Sequence, residues 1–409
     1  MPNFSIPLSG LFATNTALST ISNNLANLNT TGYKDTSVNF QDMFYQLLGT
    51  NGALDQLQVG SGTSVSSIKT NFSGGSVQTT GVNTDIAVNG NGFFVVNNGT
   101  SSYYTRSGDF TRNSGGYLIT TDGLKVMGYP ALNGAINTNG GLTPIQLQDG
   151  MINPPSATTG ISIQTNLSAD AANGDTYNTN ITIYDSLGAS HVLNIAFTRS
   201  SSGWDYKATL PSAEITGATG TSATVATGSL AFDSSGKLTS TAPVAITVSN
   251  LADGAAKLSF NWNLANSAGQ GLVTQVSGSS STGSTSQDGY SSGTLTDFSI
   301  NTDGTIVGAF TNGTKILGQI ALAGFANLEG LTKLGNNHYA ATIASGAPIV
   351  GAPGTGSLGG LTGSALELSN VDMSQEFSSL IIAERGFQAN AKSVTTFDQI
   401  AQDTINLIR

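Results

Sequence analysis

Near the end of the chain every seventh residue is apolar: Met373, Leu380, Phe387, Val394, Ala401 and Ile408, with Ala383 and Phe397 adding a second row. A strict seven-residue period held this long marks a helix that winds around another helix, because a straight helix drifts off a fixed seven. Only Gly386 interrupts the helix-forming run, at about 1 kcal/mol relative to Ala. Asn370 or Ser369 is placed to cap its start. The beginning of the chain carries a weaker version. Leu11, Leu18 and Leu25 are seven apart, Ile21 and Leu28 follow the second and third by three, and Thr14 weakens the first turn. No Gly or Pro falls between Leu11 and Thr31, and Gly32 supplies a stop. The spacing predicts helical arms over residues 1–34 and 369–409, with a connecting segment at 35–70. The same pattern also describes two amphipathic helices of a globular core. Against that reading, the two seams sit at opposite ends of a chain whose middle has a different period. Such arms bury too little apolar area alone to offset their ordering entropy, so they are expected to be disordered in the monomer.

Between the arms the period is two. "DIAVNGNGFFVV", "YYTRSGDF" and "GYLITTDGLKVMGYP" read as a β-meander from about Asn71 to Pro130, with Asn-Gly and Asp-Gly turns. A second β-segment runs from about Asp297 to Ala341, with hairpin tips at Asn301–Thr305 and Thr311–Lys315. Alternation is cleanest in between: Leu193, Ile195 and Phe197; Trp204, Tyr206, Ala208 and Leu210; Phe260, Trp262 and Leu264. The stretch Ser277–Gly289 that closes this region has linker composition. The chain therefore reads as mainly β with α-helical termini. An outer β-domain at 146–285 is inserted into a discontinuous β-domain at 71–145 and 286–368. Both are expected to be antiparallel, with coiled-coil arms at either end.

Composition narrows the function. Charged residues make up 9% of the 409, against about 25% in ordinary domains, and 51 glycines with many Ser, Thr and Asn fill the gap. Such a surface carries little repelling charge, which suits self-association, and a generic secreted β-protein has the same composition. A net charge of −10 without a basic cluster argues against nucleic acid, whose binding depends on neutralised phosphates. No apolar run is long enough to span a membrane. With no cysteine, thiolate metal sites and disulfides are excluded. Lys34 is the first charged side chain, and Asn15, Thr16, Asn23 and Asn24 break the early apolar stretch. Export, if it occurs, is therefore expected to proceed without a cleaved signal peptide.

Catalytic chemistry is poorly represented. The two histidines, His191 and His338, lack companions at ligand spacing, so no metal is expected. Asp122 and Asp303 precede turn glycines without the spaced acids of a calcium loop. No G-x-S-x-G elbow occurs, and "GNGFF" is a hairpin rather than a phosphate cradle. The expectation is a protein that is not an enzyme and takes no cofactor.

Three extended motifs then resemble one family. "NNLANLNTTGYKDTSVNFQDMF" (Asn23 to Phe44), which contains Asn24, Ala26, Asn27, Gly32, Tyr33 and Lys34, is similar to the amino-terminal signature of bacterial flagellar rod and hook proteins. "DIAVNGNGFFVV", "YYTRSGDF" and "LKVMGYP" resemble that family's next block, and Leu366 to Leu407 resembles its carboxyl-terminal signature. The inserted domain and the segment Gln287 to Asn337 point to the hook branch rather than the rod branch. The stretch Tyr45 to Thr63 departs by its length and is similar to the distal rod protein. The resemblance implies a subunit that polymerises into a curved tube, a universal joint passing motor torque from rod to filament. It also implies terminal arms lining a channel, with β-domains stacked outward. Implied partners are further copies of itself, the distal rod, hook cap and hook–filament junction proteins, and the flagellar type III export apparatus. The implied location is the extracellular hook of the flagellum. "FQDMF", with Phe40 and Phe44, resembles an export-recognition element, although packing of Phe40 against the arm is the plainer role. The readings left open are a distal rod protein, a secreted adhesin-like β-protein and a secreted hydrolase.

Overall fold

The computed structural model of the protein describes residues 4–50, 56–132 and 134–407. The fold is mainly β with a helix at each end. It divides into two units. One comprises Met1–Asp149, Asp297–Ala309 and Lys315–Arg409, and the other comprises Gly150–Thr296 with Phe310–Thr314. The second is the inserted unit. Its edges lie at 150 and 296 rather than at the anticipated 146 and 285, and it also takes in 310–314.

Two sheets face each other in the inserted unit. Thr176–Tyr184, Ser190–Ser200, Gly203–Pro211 and Ser222–Leu230 form an antiparallel four-stranded sheet. The other sheet is built on Gly160–Asn166, which pairs in parallel with Leu258–Asn263 and antiparallel with Ser281–Gln287. The expectation of purely antiparallel pairing therefore fails at this strand. The supposed linker at Ser277–Gly289 also contains a strand, in register from Ile161↔Gln287 to Asn166↔Ser281. Its Ser/Thr-rich composition hides that role, because its partner lies more than a hundred residues away. Alternate residues of Ser190–Ser200 are buried, and Phe197 and Tyr206 both meet the ring of Trp262 edge-on. Each large apolar side chain placed in such a core contributes roughly 1.5–3 kcal/mol.

In the other unit, Phe93–Asn97 pairs with Ser102–Thr105, Lys125–Leu132 and Leu322–Gly324 around a core that includes Phe94, Phe110, Leu118 and Ile320. The meander expected from Asn71 is not continuous. Ile86–Asn89 pairs with Gly360–Gly363, and Val77–Thr79 pairs with Ala365–Glu367. Positive φ at Gly90 and Gly92 turns the chain out of a simple hairpin, and Gly359 lies so close that a Cβ there would stand 2.2 Å from the Asn89 carbonyl oxygen.

The connecting segment forms two nested antiparallel hairpins. β1 (Thr36–Asp42) pairs with β4 (Thr63–Thr70), and β2 (Tyr45–Thr50) pairs with β3 (Gln56–Gly60). Helix α1 spans Ser5–Ala26 and α2 spans Met373–Leu407. α1 stops before the anticipated Thr31, so Leu28 lies outside the helix. The Asn/Thr-rich stretch competes for its backbone: Asn27 Nδ2 donates to the Asn23 carbonyl at 2.9 Å, and Thr30 donates to Asn27 Oδ1. Asp372, not Asn370 or Ser369, caps α2, accepting from the backbone nitrogens of Ser374 and Gln375.

Candidate assembly surface and its anchor

Short polar contacts made by the amino-terminal motif bind α1 and α2 to the β-structure of their unit. Asn24 is buried where α1 ends. Its Nδ2 donates to the Thr36 carbonyl at 2.8 Å and to Glu376 Oε1 of α2 at 3.1 Å, while its Oδ1 accepts from the Thr36 nitrogen. Ala26 faces solvent and Asn27 holds the turn. Gly32 takes φ +67°, and a Cβ there would meet the Arg106 backbone at 2.7 Å, so only glycine fits. Tyr33 donates to Asn24 Oδ1. Lys34 is fully buried against Glu367, with Nζ 2.5 Å from Oε1, and its ammonium also reaches the Ser73 carbonyl. Arg106 meets the other Glu367 oxygen at 3.3 Å and donates to the Gly90 carbonyl at 2.7 Å. Burial pulls both Lys34 and Arg106 below their ordinary pKa values, with the Glu367 carboxylate opposing that shift. Asn370 accepts from the Asp35 nitrogen and donates to the Asn71 carbonyl, which is why it is not the helix cap. Asn24, Gly32, Tyr33 and Lys34 stand out in the sequence; Glu367 and Arg106 do not, and Asn370 stands out there only as a helix cap. The signal for Glu367 and Arg106 was a charge in or beside a short strand of a chain with few charges.

The two helices run antiparallel. Phe4 meets Phe397 with ring centroids 6.0 Å apart, Gly10 faces Asn390, Thr14 faces Gly386, and Asn24 reaches Glu376. Between these two ends the helices approach at the small residues Gly10 and Gly386. Ala13, Ala17 and Asn24 are buried, whereas Leu11, Leu18, Ile21 and Leu25 are only half covered, as is Leu28 beyond the helix. A Cβ on Gly10 would lie 2.8 Å from the Asn390 side-chain amide, so the two helices approach closely at this point. On α2, Leu380, Phe387, Val394, Phe397 and Ala401 are half-buried and Met373 is exposed. Ile408 lies outside the described residues. No described side chain of α2 is buried. A second apolar face, including Phe377, Ile381, Ile382 and Ile400, is open to solvent, and so is Phe12 on α1. Phe40 on β1 lines a cleft of about 470 Å³ with Ala17, Ile21, Ile382 and Ala383. Phe44 is 77% exposed.

Both histidines have partners that spacing did not reveal. His338 Nε2 lies 2.8 Å from Asp122 Oδ2. In the inserted unit His191 Nδ1 lies 2.8 Å from Glu214 Oε2, and its Nε2 lies 3.1 Å from Asp185 Oδ2 and 3.8 Å from Asp253 Oδ2. Burial opposes charging of this ring, yet the hydrogen bonds to Asp185 and Glu214 outweigh it and hold its pKa above the ordinary value. No helix among the described residues is long and apolar enough to cross a membrane.

Along its full length the chain resembles one set of proteins. The flagellar hook protein FlgE of Salmonella typhimurium is 35% identical over 421 residues, covering 99% of this chain and 100% of that one. The chain belongs to the flagellar hook protein family. Other hook-family relatives are FlgE of Escherichia coli K12, 35% identical across 99% of each chain, and FlgE of Treponema pallidum, 33% identical across 98% of each. Family models match in chain order. The flagella basal body rod protein covers residues 6–34, the flagellar hook protein FlgE/F/G D1 domain 87–166, the flagellar basal body protein FlaE D2 domain 153–290, and the flagellar basal body rod FlgEFG C-terminal model 362–407. The crystal structure of Helicobacter pylori flagellar hook protein FlgE2 shares the fold, with a TM-score of 0.51, 17% identity, and coverage of 71% of this chain and 99% of that one. Full-length hook relatives leave the distal rod reading unfavoured. The hook family is a structural one.

Proposed function

We propose that this protein is the structural subunit of a flagellar hook and polymerises through its terminal helices into a curved tube that transmits torque from rod to filament. One structural observation carries this reading beyond kinship: α2 runs 35 residues without one buried side chain, and Ile382 on its outer face is 74% exposed. An apolar stripe of that length is satisfied by neighbouring copies, and head-to-tail contacts that do not close into a ring generate a helical tube. The residues assigned to this interface are Leu11, Leu18, Ile21, Leu25 and Leu28 with Met373, Leu380, Phe387, Val394, Phe397, Ala401 and Ile408. The motif Asn24–Lys34 fixes the angle at which the helices leave the β-structure. The protein has no catalytic role, acts outside the cell and is exported by the type III apparatus without a cleaved signal peptide. Its neighbours are the distal rod, hook cap and hook–filament junction proteins.

Bending is assigned to the inserted unit. Among the described residues, the ion pairs within that unit all involve His191, so its Ser/Thr/Asn-rich surface has few locks to hold one register against a neighbour. Removing residues 370–409 is expected to leave a folded, soluble monomer that forms no fibres by electron microscopy. Tubes from that truncation would end the assembly reading. Removing 150–296 is expected to leave tubes that are straight or mechanically altered, and unchanged curvature and motility would end the bending reading.

A further inference from the structure

Three side chains from separate parts of the inserted unit converge on the His191 ring. Asp185 sits in the turn after Thr176–Tyr184, Glu214 in the short 3-10 turn Ser212–Glu214, and Asp253 in the loop before Leu258–Asn263. Each aspartate uses its Oδ1 on its own turn. Asp185 Oδ1 accepts from the Leu187 and Ala189 nitrogens, and Asp253 Oδ1 accepts from the Ala255 nitrogen. Both Oδ2 atoms are left facing the same ring nitrogen, at 3.1 and 3.8 Å. The three donor atoms all lie within 4.8 Å of one another.

We propose that Asp185, His191 and Asp253 form a binding site for a divalent transition metal of the zinc class, with Glu214 orienting the imidazole. The arrangement differs from an acidic cluster in two respects. A nitrogen donor, 5% exposed overall, stands between the carboxylates, and its second nitrogen is held by a carboxylate outside the donor set. That outer carboxylate would fix the tautomer: with Nδ1–H donating to Glu214, an ion would displace the proton shared by Nε2 and Asp185 and take the Nε2 lone pair. Spacing agrees as well. Two ligands at bonds of about 2.0–2.2 Å and a tetrahedral angle stand roughly 3.3 Å apart, close to the distances seen before any adjustment. The imidazole disfavours magnesium and calcium, which take oxygen donors, and selects for zinc, cobalt or nickel. Asp185 is buried while Asp253 is partly open, so the ion enters from the Asp253 side and water completes the tetrahedron there. A bound ion ties the four-stranded sheet, through Asp185 and His191, to the loop leading into the opposite sheet. At that point the backbone already bridges them, since the Ala252 nitrogen donates to the Glu214 carbonyl at 2.9 Å.

The test is calorimetric titration of the chelator-stripped full chain with zinc, alongside thermal unfolding followed through Trp204 and Trp262. One saturable zinc per chain is expected, with a higher melting temperature for the inserted unit. Cobalt should give the visible absorption of a tetrahedral site, and magnesium or calcium should give neither response. Asp253→Asn, a change at an exposed side chain, should weaken zinc binding at least tenfold while leaving the metal-free circular dichroism unchanged. Glu214→Gln should weaken it by about 10- to 100-fold. Absence of saturable zinc binding overturns the proposal. So does zinc binding that is untouched by Asp253→Asn, which places the ion elsewhere, for instance at His338 and Asp122. A third overturning result is a stability insensitive to every metal but dependent on His191 protonation, since the ring then acts as a charged clamp.

Discussion

In the inserted unit Trp204, Trp262 and Phe197 are at most 1% exposed; in α2 Phe377, Ile381 and Ile382 are between 49 and 74% exposed. The two regions have comparable supplies of apolar residues and differ in where those residues find cover. A period of two places one face of each strand against a facing sheet in the same chain, so the inserted unit completes its own core. On the long helix the row of seven, Leu380, Phe387, Val394 and Ala401, is half covered, while a second apolar face with Phe377, Ile381 and Ile382 stays open to solvent. α1 has 22 residues against 35 in α2, and midway along it meets α2 at Gly10 against Asn390 and at Thr14 against Gly386. Self-sufficient packing belongs to the inserted unit, and incomplete packing to the helix proposed to build the polymer.

Two substitutions of equal expected size break this contrast most directly. Trp262→Ala should destabilise the inserted unit by about 3–5 kcal/mol in denaturant titration, through lost burial and the cavity left behind. Glu367→Ala should cost about 3–5 kcal/mol in the other unit, because it leaves the Lys34 and Arg106 cations buried without their shared anion. If Glu367→Ala proves neutral, the anchor does not hold the helices. Next in size is Gly10→Leu, which overfills the close approach to Asn390 and should cost about 1–3 kcal/mol, read as earlier melting of the helical signal. Smaller on the single chain is Ile382→Ser, expected to change monomer stability by less than about 0.5 kcal/mol while raising the concentration needed for fibres. A monomer much weakened by that change would mean Ile382 is covered within its own chain.

The smallest expected effect is a pH dependence of the anchor. Burial raises the pKa of both Asp35 and Glu376, with the Asn71 and Asn370 hydrogen bonds on Asp35 and the Asn24 hydrogen bond on Glu376 opposing it. For a carboxyl raised on folding, the stabilising contribution is complete below the unfolded value near 4 and is lost as pH rises through the folded value. Protection of the Thr36 amide, which donates to Asn24 Oδ1, should therefore be greater near pH 4 than at neutrality after correction for intrinsic exchange. Asp35→Asn with Glu376→Gln should flatten that profile, and an unchanged profile in the double variant would assign the dependence to other groups.

Local periodicity reached far into this molecule. The spacing of Leu380, Phe387, Val394 and Ala401 was visible in the chain, as was the alternation through Leu193, Ile195 and Phe197, because both follow from the geometry of one element. Turn chemistry at Gly32 was legible for the same reason. Three features were not. The pairing of Ile86–Asn89 with Gly360–Gly363 joins strands that no local rule connects. The Lys34–Glu367 pair spans 333 positions, and neither residue shows its partner. His191 looked isolated because Asp185, Glu214 and Asp253 approach it from three different loops.

Side-chain period set the kind of element at each place, since it answers to backbone geometry within a few residues. It also marked the ends as helical and the middle as β. Which face of α1 meets α2, which acid neutralises the two buried cations, and which carboxylates surround a histidine were settled by the packing of distant segments. Those outcomes depend on the distance between chain segments after folding, and the free energy of a buried charge or a close helix contact changes steeply over an ångström that no linear pattern encodes.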